Sequence, residues 1–255
     1  MPIEKTDAII INSMDWSNTS KIVSFYTKEH GRVKAVAKGA RRRGSPFLGA
    51  LELFYYVDLV YYEKATRELQ TVSQCSVKKD FSAVKQDLEK TAYCAYFAQS
   101  AEAISGEKQK SGAIFQLLLD IFSYLEENDP DVLLARYFEL NLLKAAGYGP
   151  VLKNCGGCGF KFEAPIAKAG FSPGAGGVVC AACMGASGGC LSLSGGSLST
   201  LSCLDSASPG MLGRIKASQI IKDELREALA CCLDYHLEKK LKSKEFLEEI
   251  LNERR

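Results

Sequence analysis

The first 80 residues contain five short segments rich in β-branched and aromatic residues, with no helical pattern between them. These segments are residues 8–11, 21–27, 31–38, 51–62 and 69–77. Short strands in this number, separated by turns, are typical of a small closed or nearly closed barrel. The five-stranded member of that class is the OB-fold, which commonly binds oligonucleotides, and we expect such a barrel over residues 1–79.

The third segment carries a row of cations. With the loop that follows, it reads GRVKAVAKGARRRG from Gly31 to Gly44. Three basic residues fall at even positions of the segment, and small apolar residues at the odd positions between them. Because successive side chains of a strand point to opposite faces, one face is basic and continues into an arginine-rich loop. Such a face is suited to follow a phosphate backbone. The candidate nucleic-acid-binding residues are Arg32, Lys34, Lys38, Arg41, Arg42 and Arg43.

A solvated strand face is the alternative explanation, since lysine and arginine also protect exposed strands. Two observations favour an anionic partner. Three consecutive arginines concentrate like charge in one loop, which is costly without a counter-charge. Residues 1–80 also hold 13 Lys and Arg against 9 Asp and Glu, whereas the whole chain has a net charge of only +2. The tyrosines at 55, 56, 61 and 62 could stack bases, but we expect barrel packing for at least half of them.

The sequence becomes helical in character after residue 79. We predict helices over residues 83–104, 111–125 and 218–241, where apolar residues recur at steps of three and four. A further helix is delimited by Asp129 as its N-cap, Pro130 at its first position and Gly147 just past its end. The chain is thus predicted to be an α+β multidomain protein, with a barrel, a helical domain and an insert within that domain. The predicted parts are 1–79 (barrel), 80–150 (helical), 151–200 (insert) and 201–255 (helical).

The insert is rich in glycine and contains two cysteine pairs, Cys155-x2-Cys158 and Cys180-x2-Cys183. Each pair lets one tight turn direct two thiolates at a single ion, and flanking glycines permit that turn. Four thiolates close a tetrahedral site, so we predict one structural Zn²⁺ per chain. Iron in a four-sulfur site is the chemical alternative. Cys190 and Cys203 could replace a ligand, and the remaining four cysteines are expected to be buried thiols.

Signatures of catalysis are weak. No G-x-x-x-x-G-K-[ST] loop occurs, and neither His30 nor His236 has a spacing to a carboxylate that suggests catalysis. We therefore expect a protein that is not an enzyme. The N-terminus has acidic residues at Glu4 and Asp7 and no long apolar run follows, so we expect a cytoplasmic protein without a membrane span.

Several stretches of the sequence resemble one family. They are Asn18–Val23, Phe25–Gly31, Val36–Arg42, Ala146–Tyr148 and the two cysteine pairs, in that order along the chain. With these stretches the chain resembles the RecO family of bacterial DNA repair and recombination-mediator proteins. The resemblance implies an N-terminal OB-fold, a helical domain and an inserted zinc module.

The resemblance also implies a function. RecO-like proteins bind single- and double-stranded DNA and anneal complementary strands. They act with RecR and single-stranded-DNA-binding protein to load RecA. By the same resemblance, Lys38, Arg41 and Arg42 match the family's basic DNA-contact stretch, and the four paired cysteines match the zinc ligands of members that retain them. Cytoplasmic, nucleoid-associated localisation is implied as well. The alternative is a zinc-ribbon scaffold that acts mainly through protein contacts.

Overall fold

The structure is a computed structural model that describes residues 2–64, 66–106, 111–162, 168–186, 190–237 and 239–253. The strands are β1 (Ile3–Trp16), β2 (Ser20–Thr27), β3 (Gly31–Ala37), β4 (Tyr56–Tyr62), β5 (Leu69–Lys79), β6 (Lys168–Ser172), β7 (Gly177–Val179) and β8 (Leu191–Ser194). The helices are α1 (Ser82–Gln86), α2 (Leu88–Ile104), α3 (Gly112–Glu127), α4 (Val132–Ala145), α5 (Ala181–Ala186), α6 (Gly195–Ser206), α7 (Gln219–His236) and α8 (Lys242–Glu253).

These elements form two units. We call the first the barrel unit, and it comprises Met1–Asp129 together with Leu241–Arg255. The second comprises Pro130–Lys240 and is called the insert unit, because it includes the insert predicted at residues 151–200 together with the helices on either side of it. The last helix, α8, therefore belongs to the same unit as the first strand.

The first five strands close into a barrel in the order β1-β2-β3-β5-β4. Neighbours are antiparallel except β3 and β5, which are parallel. This is the five-stranded OB-fold barrel that the sequence predicts. Strand β1 is longer than predicted because its first half pairs with β4 and its second half with β2, with an irregularity in register between Ile10 and Asn12.

The barrel interior is filled by alternate side chains of the strands and by the connection from β3 to β4. Val23, Phe25 and Leu59 are buried within it. Strand β4 starts at Tyr56, not at residue 51 as predicted, because the preceding residues form turns that place Leu51 in the core. A closed and filled barrel fixes which side chains of β3 face outward.

Helix α2 begins later than predicted. Asp87 interrupts the expected single helix over residues 83–104, and its side chain accepts a hydrogen bond from the backbone N–H of Lys90 at 3.0 Å. Asp87 is thus the N-cap of α2. Helix α8 packs against α2, where the Gln99 side chain accepts a hydrogen bond from the backbone N–H of Ser243 at 3.0 Å.

In the insert unit, α4 packs against α6 and α7, and the three-stranded sheet has the order β7-β6-β8. The predicted N-cap Asp129 is wrong by two residues. Asp131 caps α4 instead, with its carboxylate 2.7 Å from the backbone N–H of Leu133. Gly147 has the expected left-handed backbone, with φ of 87°. The predicted helix 218–241 ends at His236, and the chain then returns to the barrel unit as α8.

Candidate nucleic-acid interface and metal centre

The outer side of β3 is basic, as the alternation of residue types indicates. Val33, Ala35 and Ala37 point into the barrel and are buried, whereas Lys34 and Lys38 are exposed. We call Lys34, Lys38 and the three arginines that follow, Arg41, Arg42 and Arg43, the basic face. All five of these residues are exposed.

Arg32, at the start of β3, has a different environment. Its guanidinium Nη1 donates a hydrogen bond to the backbone carbonyl of Glu102 at 3.2 Å, near the end of α2, and the residue is half-buried. The neighbouring Tyr26 hydroxyl lies 2.9 Å from the Ser105 hydroxyl in a buried contact. Burial raises the pKa of Tyr26. The helical part of the barrel unit therefore covers this end of the predicted row of cations.

Arg41 is anchored to the turn between β1 and β2. Its guanidinium lies 3.3 Å from the Asp15 carboxylate and donates a hydrogen bond to the Ser17 carbonyl at 3.2 Å. Its backbone N–H donates to the Thr19 carbonyl at 2.9 Å. These contacts fix where the arginine-rich loop leaves the barrel.

The other four cations of the basic face have no such contacts. Within the described part of the chain, no ion pair or side-chain hydrogen bond is made by Lys34, Lys38, Arg42 or Arg43. The chain turns between Lys38 and Arg41 at Gly39, whose φ of 72° suits glycine. The basic face is thus an exposed cluster of like charge, and an anion lying across it would lower its electrostatic free energy.

Three of the four tyrosines considered for base stacking have other contacts. Tyr61 is buried in the barrel, and its burial strongly raises its pKa. The Tyr56 hydroxyl donates a hydrogen bond to Asp7 at 2.8 Å, and the Lys85 ammonium lies 3.5 Å from the centroid of the Tyr55 ring. Tyr55 also packs against the barrel core that contains Tyr61, so barrel packing is confirmed for these two, half of the set.

The structure brings the four predicted metal ligands together. The Sγ atoms of Cys155, Cys158, Cys180 and Cys183 all lie within 4.8 Å of one another. A tetrahedral site with Zn–S bonds of about 2.3 Å requires sulfur atoms about 3.8 Å apart. The Cys158 and Cys180 Sγ atoms are 3.8 Å apart, so the cluster fits zinc. All four positions of a tetrahedron would be filled by protein, as in structural sites.

Two glycines make this arrangement possible. A Cβ on Gly156 would lie 2.1 Å from the carbonyl oxygen of Ala175, a distance that no side chain can occupy. A Cβ on Gly157 would lie 3.0 Å from the Cys183 Sγ. The first cysteine turn therefore packs directly against the backbone of the β6–β7 connection and against the second cysteine pair.

The cluster favours one thiolate even before a metal is considered. The backbone N–H of Cys180 donates to the Cys155 Sγ at 3.3 Å, and this bond is the main reason that the pKa of Cys155 falls to about 6. Hydrogen bonds among the clustered thiols raise the pKa of Cys183 to about 12. Thiolates are the form that binds a metal, and backbone N–H groups that stabilise them are a usual part of such sites.

The other cysteines lie outside this cluster. Cys75, Cys94 and Cys232 are buried, as expected, and burial raises the pKa of each. Cys231 is exposed, contrary to the prediction, because it lies on the solvent side of α7. Cys190 and Cys203 are not members of the metal-binding group found among the described residues.

Each of the two histidines lies against another side chain of its own unit. His30 Nε2 lies 3.5 Å from a Glu4 carboxylate oxygen, and the His236 ring stacks on Tyr148 at 4.3 Å between centroids.

No helix in the described part of the chain is long and apolar enough to cross a membrane.

Comparison with known proteins gives a consistent assignment. The family model described as Recombination protein O N terminal matches residues 1–81, and that described as Recombination protein O C terminal matches residues 85–245. The DNA repair protein RecO of Pelotomaculum thermopropionicum is 34% identical over 97% of this chain and 94% of its own length. That of Symbiobacterium thermophilum is 34% identical over 100% of both chains. That of Moorella thermoacetica is 29% identical over 96% of this chain and 91% of its own.

The first family model covers the barrel that carries the basic face, and the second covers the four clustered cysteines. With relatives of this identity aligned over the full length, the chain belongs to the RecO family of DNA repair proteins.

Proposed function

We propose that this protein is a non-catalytic recombination mediator that binds single- and double-stranded DNA through the basic face of its barrel. The observation that carries the proposal is the exposed cluster of Lys34, Lys38, Arg42 and Arg43, whose side chains lack counter-charges among the described residues. Membership of a DNA repair family makes nucleic acid the natural anion for this surface.

The six predicted DNA-binding residues have three roles under this proposal. Lys34, Lys38, Arg42 and Arg43 supply most of the phosphate contacts because they are exposed and need not break an existing contact. Arg41 contributes while holding the loop against Asp15. Arg32 acts mainly by keeping the end of α2 against β3, since its guanidinium is already hydrogen-bonded there.

Beyond DNA binding, we propose that the protein anneals complementary strands. We also propose that, together with RecR, it helps to load RecA onto DNA coated by single-stranded-DNA-binding protein. Neutralising phosphates lowers the repulsion between two strands, so a surface of unpaired cations supports annealing without a catalytic residue. We propose a cytoplasmic, nucleoid-associated location for this work.

We propose that the cysteine cluster holds one structural Zn²⁺. The ion would link the turn that contains Cys155 and Cys158 to the N-terminal end of α5, where Cys180 and Cys183 lie. The fit of the sulfur spacing supports this role, and a site closed by four thiolates offers no position for a substrate.

The decisive experiment compares the wild type with a Lys38→Ala/Arg41→Ala/Arg42→Ala variant in equilibrium binding to single-stranded DNA over a range of salt concentrations. Each lost phosphate contact should reduce the slope of log affinity against log salt by about 0.7. Binding should weaken with every base sequence tested, because phosphate contacts carry no sequence information. Annealing of complementary strands, followed by fluorescence transfer, should slow in parallel.

A charge-matched control is available in the same chain. Lys239, Lys240 and Lys242 are exposed and lie far along the sequence from the basic face. Replacing these three with alanine changes the net charge equally and should leave affinity and salt slope near those of the wild type. Unchanged DNA binding by the basic-face variant at physiological salt would show that DNA binds elsewhere on the protein. Absence of DNA binding by the wild type would instead favour the scaffold alternative, in which protein contacts dominate.

A further inference from the structure

The strand register places the only tryptophan of the chain on the same side of the barrel as the basic face. Trp16, at the end of β1, pairs with Ser20 of β2. Lys21 pairs with Ala37, the last residue of β3, and the backbone N–H of Gly39 donates to the Ser20 hydroxyl at 3.4 Å, so Lys38 lies directly after the strand at the level of Ser20. Directly opposed residues of antiparallel strands project to the same face. Trp16, Ser20 and Lys38 therefore form one row across β1, β2 and the end of β3.

Trp16 is 53% exposed, although an indole is a side chain that proteins usually bury. It makes no aromatic or cation–π contact with any described residue. Met14, two positions earlier on the same face, is also about half exposed at 52%. The end of β1 thus presents an apolar surface to solvent beside the cations of β3.

The spacing between these groups suits a nucleotide strand. Two strand separations, about 10 Å, lie between Trp16 and Lys38. Ser20 lies between them and is buried, and its hydroxyl accepts a hydrogen bond from the backbone N–H of Gly39 at 3.4 Å. The arginine-rich loop is held close by, because Arg41 contacts the Asp15 carboxylate and the Ser17 carbonyl on either side of Trp16. A backbone whose phosphates follow the cations would bring its bases towards the indole.

We propose that Trp16 is a base-stacking residue that gives the basic face a preference for single-stranded DNA. An unpaired base offers a free π-face to an aromatic side chain, whereas both faces of a base within a duplex are covered by its neighbours. The cations bind phosphates of either form, and the indole distinguishes the two. This inference rests on the DNA binding proposed above and adds a specificity-determining residue to it.

The test uses the intact protein and its own fluorescence. Because the chain has 1 Trp, its tryptophan emission reports on Trp16 alone. Titration with an unlabelled oligothymidylate should quench this emission, and titration with a blunt duplex of equal length should quench it far less. Binding of both DNAs is measured separately by the anisotropy of labelled strands, so that quenching and binding are distinguished.

Substitutions sharpen the result. Trp16→Ala should lower the affinity for oligothymidylate by about fivefold or more and leave duplex affinity within about twofold of the wild type. Trp16→Phe keeps a ring and should retain most of the affinity. Tyr235→Ala, which removes an aromatic side chain that is 62% exposed in the insert unit, is the matched control and should bind as the wild type does.

Two outcomes would overturn the proposal. In the first, anisotropy shows that oligothymidylate binds, but tryptophan emission is not quenched and Trp16→Ala has wild-type affinity. The proposed DNA binding would then stand, and Trp16 would have no part in it. Absence of binding to either DNA would overturn both. Circular dichroism and thermal melting of each variant show whether a loss of binding reflects loss of fold.

Discussion

The Arg41 guanidinium lies 3.3 Å from the Asp15 carboxylate, and this ion pair joins the arginine-rich loop to the end of β1. The pair thereby places a negative charge at the edge of the basic face. The pair also fixes the direction of the Arg41 side chain, whereas Arg42 and Arg43 make no ion pair with any described residue.

Asp15→Asn should therefore raise the affinity for single-stranded DNA by about twofold at low salt, because it removes one charge that repels phosphate. Stability should change little, since exposed ion pairs contribute only about 0–1 kcal/mol. Asp58→Asn, which removes the partner of Lys5 elsewhere on the barrel, is the control and should not affect binding. Weaker binding by Asp15→Asn would show that anchoring of Arg41 matters more than the removed charge.

The buried contact between Tyr26 and Ser105 should contribute to the stability of the barrel unit. Tyr26→Phe leaves the Ser105 hydroxyl buried without this partner, and we expect a loss of about 1 kcal/mol in the free energy of unfolding. Urea denaturation measures the loss. Tyr235→Phe, at an exposed position, should have no comparable effect. Equal stabilities of the two variants would contradict the expectation.

Because of Asp7, the free energy of unfolding of the barrel should decrease as the pH falls through the acidic range. Burial alone would raise the pKa of its carboxyl, but hydrogen bonds from Lys78 and Tyr56 outweigh that effect, and the pKa lies below the ordinary 3.8. A lowered pKa means that the stabilisation is complete above pH 3.8 and is lost as the pH falls through the native pKa. The unfolding free energies of the wild type and Asp7→Asn should therefore differ at neutral pH and converge once the pH is below the native pKa of Asp7. A difference that persists at low pH would show that the charge of Asp7 is not its source.

The proposed zinc site predicts a clear difference between two cysteine substitutions. Cys155→Ser removes a buried ligand and should reduce bound zinc from one per chain to a small fraction, with loss of thermal stability. Cys231→Ser changes an exposed cysteine outside the cluster and should leave the zinc content unchanged. Elemental analysis of the purified proteins measures the ion and distinguishes zinc from iron. Full metal content in Cys155→Ser would contradict the assigned ligand set.

Sequence patterns predicted the parts of this fold that local chemistry determines. Alternation in β3 correctly predicted an apolar face opposite the basic one, and Val33 and Ala35 of that face lie inside the barrel. The spacing of the cysteine pairs correctly indicated a four-thiol cluster. The interruption at Asp87 was missed because the apolar pattern continues across it, although an aspartate at that position is itself a capping signal.

Tertiary contacts explain what the sequence could not reveal. Arg32 and Lys34 lie on the same face of β3 in the sequence pattern. Their environments differ because the end of α2 lies against Arg32, whereas Lys34 is exposed. Trp16 was missed for a related reason. Its position opposite Ser20 depends on the register of β1 and β2, whereas periodicity in β1 alone shows only that it shares a face with Met14.

The return of α8 to the barrel unit has a consequence for how the protein is made. Residues 130–240 leave the ribosome before α8 does, which at ~5–20 residues per second takes roughly 6–22 s. During that interval the side of α2 that receives α8 is uncovered, and the Gln99 side chain lacks its contact with Ser243. The barrel unit thus begins folding first yet completes its packing last, and the nascent chain exposes apolar surface while the insert unit is synthesised.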